Sequence, residues 1–391
     1  MMAALTAAGD RENRVVLLER QTRPGRKLMA TGNGRCNLTN LTASSRNYHG
    51  EDADFVRFAL SQFPPTAALD FFKSIGLLTV TEEGGRVYPL SNSANSVCDV
   101  LRFALTAAGV ELRAPWPVQS LARQGEGFLL RGQDGELAAD RVIVACGGMA
   151  GEKLGGVKDG YALLGALGHS RTALRPSLVQ ITTENTYPRA LKGVKADCAL
   201  TLRRGRETLF TSAGELLFTD SGVSGPASFD LSRAVSTAGD APMELHIDLL
   251  RAYSPEETEA LLRARRERGA GELTCGDLLT GALHNRLGRM VVKYAGVDGN
   301  RPLRELTDGE LRAVARAAKD FILPVRGTEG FGAAQVTAGG VRTGEFDPRT
   351  MGSRLVPGLY ACGEVLDVDG DCGGFNLQWA WASGRLAGRL L

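Results

Sequence analysis

The feature that most constrains this chain lies near its C-terminus. An apolar run at 359–362 stops at Gly363 and Glu364, a loop crosses Asp371, and Gly373-Gly374-Phe375-Asn376-Leu377 opens an apolar helical stretch. The first turn of a helix presents unpaired N–H groups at the positive end of the helix dipole. A strand, glycine loop and helix start in this order is therefore built to receive a negatively charged group. A glycine-capped C-terminal helix with no ligand would leave Glu364 and the paired glycines without a purpose.

A second segment supports a ligand-binding reading. The apolar strand at 15–18 ends in Glu19, and a loop dense in glycine, basic and amide residues follows, from Pro24 through Arg26-Lys27 and Thr31-Gly32-Asn33-Gly34-Arg35-Cys36-Asn37. Apolar Leu28 and Met29 anchor that loop from within, and its glycines permit close approach to a ligand. Glu19 stands where a Rossmann-type site places a carboxylate to accept from a ribose 2′-hydroxyl. An acid there also disfavours a 2′-phosphate. Further along, a buried strand at 141–145 closes in Ala145-Cys146-Gly147-Gly148, a geometry that lets the chain turn sharply past a dinucleotide.

These motifs, with Asp159-Gly160-Tyr161, the block from Gly214 to Asp220, Ser224-Gly225-Pro226 and the block from Gln335 to Val341, resemble the BaiN and aminoacetone-oxidase-like (YhiN-like) family of FAD-dependent oxidoreductases. The resemblance covers nearly the whole chain. It implies an α/β fold: a discontinuous Rossmann-like FAD-binding domain with an inserted β-plus-helical domain. It also implies a cofactor-binding set of Glu19, Arg26, Lys27, Thr31, Gly32, Asn33, Gly34, Arg35, Cys36, Asn37, Val118, Ala145, Gly147, Gly363, Glu364, Asp371, Gly373, Gly374, Asn376 and Leu377. Within it, Glu364 would bond ribityl hydroxyls and the N–H groups of Asn376 and Leu377 would face the pyrimidine edge of the flavin. Family members begin with a buried strand and a Gly-x-Gly-x-x-Gly turn, whereas residues 1–9 here read as the helix that follows such a turn. The chain is thus expected to lack the central strand of its sheet and to hold FAD weakly as it stands.

The implied reaction is hydride transfer through FAD, either reduction of an activated C=C bond by NAD(P)H or oxidation of a small amine or hydroxy compound. No second nucleotide-binding unit is visible, so NAD(P)H would visit only transiently. A different reading, a non-catalytic scaffold that kept the fold, stays open at this point. No residue stands out as the proton donor; the histidines at 49, 169 and 284 lack triad partners at suggestive spacing and read as structural.

At 391 residues the chain exceeds what one hydrophobic core supports, so more than one domain is expected. Its net charge of +2, from 46 basic and 44 acidic residues, gives no electrostatic case for nucleic acid or an acidic membrane. The expected partner is a small-molecule substrate; oligomeric state is not legible. The absence of a long apolar run or a secretion signal places the protein in the cytoplasm as an expectation. Seven scattered cysteines with no Cys-x-x-Cys pair argue against a metal site, and those inside the motifs read as packing residues.

Helical periodicity covers 54–62, 66–75 and 96–108, and apolar segments at 118–122 and 128–130 predict a β-meander. Beyond residue 171 short polar-edged strands are predicted at 199–203, 207–210, 215–218 and 243–247. A helical pattern then runs over 255–319, with breaks at 269–271 and near Pro302. The cofactor domain is accordingly placed at 1–171 and 323–391 and the insert at 172–322, with Gly222 and Ser224-Gly225-Pro226 as candidates for a substrate-side wall.

Overall fold

A computed structural model describes residues 1–239, 241–268 and 273–391; the predicted break at 269–271 lies outside the described residues. The chain divides into two compact units, Met1–Pro176 with Phe331–Leu391, and Ser177–Gly330. These borders differ from the predicted 172 and 322. Thr172 stays with the first unit because its N–H donates to the Gly340 carbonyl (2.9 Å). At the other border, residue 322 falls inside the strand Phe321–Thr328, which completes the sheet of the second unit.

In the first unit, Val16–Leu18 pairs in parallel with Glu111–Arg113, and Val142–Val144 pairs in parallel with Leu359–Ala361. The strands at 16–18, 142–144 and 359–361 fall where the sequence predicts strands, whereas Glu111–Arg113 was not predicted; the four form two separate pairs. The meander has three antiparallel strands, Val118–Gln124, Gly127–Gly132 and Gly135–Ala139. The third was not predicted because its sequence, Gly-Glu-Leu-Ala-Ala, has little β propensity. Another small sheet, ordered Thr39–Asn40, Arg86–Pro89, Thr79–Thr81, was also not predicted.

The helix Phe375–Ala387 runs through the core of this unit, with Trp379 only 1% exposed and Trp381 edge-on to Phe72 at 5.2 Å. Small residues let it meet the helix Met2–Ala7 closely: a Cβ on Gly388 would lie 2.4 Å from the Ala3 carbonyl oxygen.

The second unit is built on a closed antiparallel barrel in the order Ile181–Thr183, Gly222–Ser224, Glu207–Phe218, Lys195–Arg204, Met243–Asp248, Phe321–Thr328. Closure leaves no open sheet edge. Alternate residues point inward, among them Cys198, Leu200 and Leu202 on one strand and Leu245 and Ile247 on the next. The helices Pro255–Arg268, Asn285–Tyr294 and Asp308–Lys319 belong to the same unit. The last begins with a reciprocal cap in which Thr307 N–H donates to the Glu310 carboxylate (2.9 Å) and Glu310 N–H donates to the Thr307 hydroxyl (3.2 Å). Phe321, fully buried with its ring 4.5 Å from that of Tyr294, is a keystone of this core. Phe321→Ala is expected to lower stability by about 3–5 kcal/mol, measured by urea unfolding.

Candidate cofactor site

The first glycine motif is shaped by backbone chirality. After the short helix Arg26–Ala30, the Thr31 hydroxyl donates to the Leu28 carbonyl (2.7 Å). Gly32 (φ 57°), Asn33 (φ 57°) and Gly34 (φ 85°) are then left-handed in succession, as is Cys36 (φ 63°). Glycine and asparagine tolerate this conformation best. At Gly32 there is no room either, since a Cβ would lie 2.9 Å from the Asn37 nitrogen and 3.2 Å from the Tyr88 ring.

The second motif is locked from its own side chains. The strand Asp369–Gly370 pairs antiparallel with Tyr48–His49. The Asp371 carboxylate is hydrogen-bonded to His49 Nε2 (2.7 Å) and accepts from Asn47 Nδ2 (3.2 Å). The Asn376 amide accepts from Gly370 N–H and donates to the Gly370 carbonyl, both at 2.8 Å. Asp371 and Asn376, expected at the cofactor, thus spend their side chains on closing the loop. Gly373 (φ 132°) and Gly374 (φ 100°) lead into the helix Phe375–Ala387, whose first turn has no side-chain cap. Its first-turn N–H groups, those of Asn376 and Leu377 among them, have no capping side chain.

The fold brings the two motifs together. Lys27 Nζ lies 2.6 Å from Glu364 Oε2, and Glu364 Oε1 accepts from Thr337 N–H (2.8 Å). Both carboxylate oxygens of Glu364, expected to serve ribityl hydroxyls, are therefore already engaged. A Cβ on Gly148 would meet Glu364 Oε1 at 2.7 Å, and Gly147 is left-handed (φ 72°), which explains why glycines end this strand. Asn40 Nδ2 donates to the Gly373 carbonyl (2.9 Å), and the buried Thr39 hydroxyl pairs with Gln378 (2.6 Å). A Cβ on Gly374 would lie 2.8 Å from Asn37 Oδ1, a buried oxygen with no hydrogen-bond partner among the described residues.

The remaining predicted residues sit around this centre. Glu19 is half-buried at the end of its strand, accepts from Gln21 N–H (2.7 Å), and has its carboxyl pushed up by desolvation. Arg26 donates to the Gln21 side chain (2.8 Å). Val118 opens the meander in register with Gly132, two residues beyond Trp116, whose N–H reaches the Glu19 carbonyl (2.7 Å). Ala145 is exposed where the strand Val142–Val144 ends. Arg35 turns elsewhere: it binds Glu82 and Asn92 and lies 3.9 Å above the Tyr88 ring. Sequence reasoning gave no role to Thr337, Asn40 or Gln378, although all three lie in stretches that carry the resemblance, and it missed the strand carrying Arg86 and Tyr88 altogether.

Cys36 is fully buried and its thiol is pushed up to about 12, mainly by burial. At pH 8 only about one part in ten thousand would be thiolate, the reactive form. Native protein treated with iodoacetamide at pH 8 is expected to keep Cys36 unmodified by mass spectrometry, with labelling only after denaturation.

The left-handed turn at Gly32–Gly34, the unpartnered buried Asn37 oxygen and the uncapped helix start suit the ribityl chain and polar ring edge of a flavin, so the residues present fit that end of the cofactor. With its parallel strands and two converging glycine motifs, the chain is a Rossmann-type enzyme, a flavin-dependent oxidoreductase, and it belongs to the HI0933-like protein Rossmann domain family, matched over residues 1–390. It is 38% identical over 392 residues to a 3-dehydro-bile acid delta(4,6)-reductase from Clostridium scindens, covering 100% of this chain and 95% of the relative. A ribosomal RNA dihydrouridine synthase from Escherichia coli is 31% identical over 382 residues, covering 96% and 91%. Its Haemophilus influenzae counterpart is 28% identical over 376 residues, covering 94% and 90%. Among the described residues no helix is long and apolar enough to cross a membrane.

Proposed function

We propose that the enzyme holds FAD on the two converging motifs of its first unit and reduces a carbon–carbon double bond conjugated to a carbonyl, with NAD(P)H as a visiting hydride donor. The observation that carries this reading is the Lys27–Glu364 pair (2.6 Å), which joins the two glycine motifs across the sequence. When bound, FAD supplies reversible two-electron hydride transfer. The chain's own residues hold and orient it. Glu19 accepts from a ribose hydroxyl, the left-handed turn at Gly32–Gly34 admits the cofactor to the backbone, and the Asn37 amide and the N–H groups of Asn376 and Leu377 serve its polar edge. Lys27, fixed by Glu364, adds a positive charge beside them.

The names of the relatives support the reaction class. Reduction of a delta(4,6) bond system in a 3-dehydro compound and conversion of uridine to dihydrouridine both saturate a double bond conjugated to a carbonyl. A small apolar enone is the preferred substrate class, because it belongs to the relative with 38% identity and because 46 basic against 44 acidic residues supply no field for a polyanion.

The test is anaerobic. Protein charged with FAD is bleached with NADPH, then offered a 4-en-3-one steroid, a uridine-containing ribosomal RNA transcript, or air. Rapid recovery of flavin absorbance with the steroid, and formation of the saturated ketone, is the expected result. Recovery with the transcript alone would move the substrate to RNA, and recovery with air alone would make the enzyme an oxidase.

A further inference from the structure

Arg86 stands apart from the other charged residues of the first unit. It is half-buried, its charge is felt by Glu82 and Tyr88, and among the described residues its guanidinium makes no hydrogen bond and has no carboxylate within ion-pair distance. Its position in the sheet gives a reason. Arg86 is in register with Asn40, whose amide binds the Gly373 carbonyl, and a Cβ on Gly373 would lie 3.4 Å from Arg86 Nε. Two residues on, Tyr88 shares the same face and packs its ring against the Gly32 turn. Between them Val87 points the other way and is fully buried. One face of this strand therefore reaches both glycine motifs, with the Arg86 guanidinium beside Gly373 and the Tyr88 ring beside Gly32.

The same face continues into apolar surface. Val80 pairs with Tyr88, and Leu90 N–H bonds to the Leu78 carbonyl, so Leu78, Val80 and Leu90 line up beyond Tyr88, exposed by 59%, 39% and 60%. Tyr88 itself is buried under the Arg35 guanidinium, 3.9 Å from its ring, which separates this strip from Arg86.

We propose that Arg86 receives the carbonyl oxygen of the substrate. This rests on the reductase reading above. In that reaction bound FAD would supply the hydride to the carbon β to the carbonyl, the π electrons would move onto the oxygen, and a proton from water would complete the α carbon. Arg86 stabilises the negative charge that gathers on the oxygen, the work of an oxyanion-hole donor.

Arg86→Gln and Arg86→Lys are compared with the wild type, all charged with FAD. The first readout is equilibrium binding of 4-nitrophenol, followed by its visible absorbance as a function of pH. The wild type is expected to lower the apparent pKa of the bound phenol; Arg86→Gln removes that shift and weakens phenolate binding roughly ten- to a hundredfold, with Arg86→Lys between them. The second is turnover of the 4-en-3-one steroid, where Arg86→Gln is expected to lower kcat by about 10²–10³-fold with flavin content and absorbance unchanged. Unaltered phenolate binding and kcat would overturn the assignment. So would loss of flavin or a shifted flavin spectrum, which would make Arg86 a cofactor ligand. If the wild-type protein holds no flavin, the reductase reading itself fails, and the phenolate titration still decides whether Arg86 binds an oxyanion.

Discussion

Gly374→Ala is expected to abolish flavin retention and to lower the stability of the first unit by about 2–4 kcal/mol. Gly374 has φ 100°, a conformation that side chains rarely adopt, and the added Cβ would lie 2.6 Å from both the carbonyl carbon and the oxygen of Thr39. Those are backbone atoms in a buried segment, so they cannot swing aside as a flexible side chain would. Relief requires the helix start to move away from residues 37–40, which dismantles the cradle. Gly76→Ala is the matched control, because Gly76 has a similar φ of 92° but no atom within 4 Å of the added methyl. Melting curves and FAD content after ultrafiltration measure the difference. If Gly374→Ala melts like Gly76→Ala and keeps its flavin, the close approach has no consequence.

Glu364→Ala is expected to weaken FAD affinity about ten- to a hundredfold, because it leaves Lys27 without its partner and Thr337 N–H without an acceptor. The pair is 30% and 20% exposed at its side chains, so the stability cost is discounted for solvent screening to about 1–2 kcal/mol. A double-mutant cycle of Lys27→Met and Glu364→Gln isolates the coupling. Glu19→Ala should also loosen the cofactor while leaving the reactivity of bound flavin unchanged, since it acts on the adenosine half. Unaltered FAD titrations for both carboxylate mutants would show that neither end of the cofactor is where these residues place it.

The C-terminal motif was legible because its glycines are required by geometry: few residues other than glycine serve at φ values like those of Gly373 and Gly374. What the sequence could not display was the direction of side chains. Arg35 and Lys27 look equivalent along the chain, yet Arg35 is drawn outward by Glu82 and Lys27 inward by Glu364, each partner lying far away in sequence. The sheet that carries Arg86 escaped notice because strands of two to four residues are too short to show a period. The stretch 207–218 was read as two strands, since Gly214 resembles a break. In the barrel Gly214 simply sits opposite Cys198, within one continuous strand, Glu207–Phe218.

The interlocking of the helices Met2–Ala7 and Phe375–Ala387 sets a timetable for assembly at the ribosome. The first unit is discontinuous, with the helix Met2–Ala7 made before the second unit and the helix Phe375–Ala387 made after it. The second unit is contiguous, so every strand of its barrel has emerged while the first unit still awaits the segment that fills its core. Until then the apolar faces of Met2, Leu28 and Phe72 have no Trp379 or Trp381 to cover them. For that interval the nascent first unit is a natural client of chaperones, and shortening the last helix would prolong the exposure indefinitely.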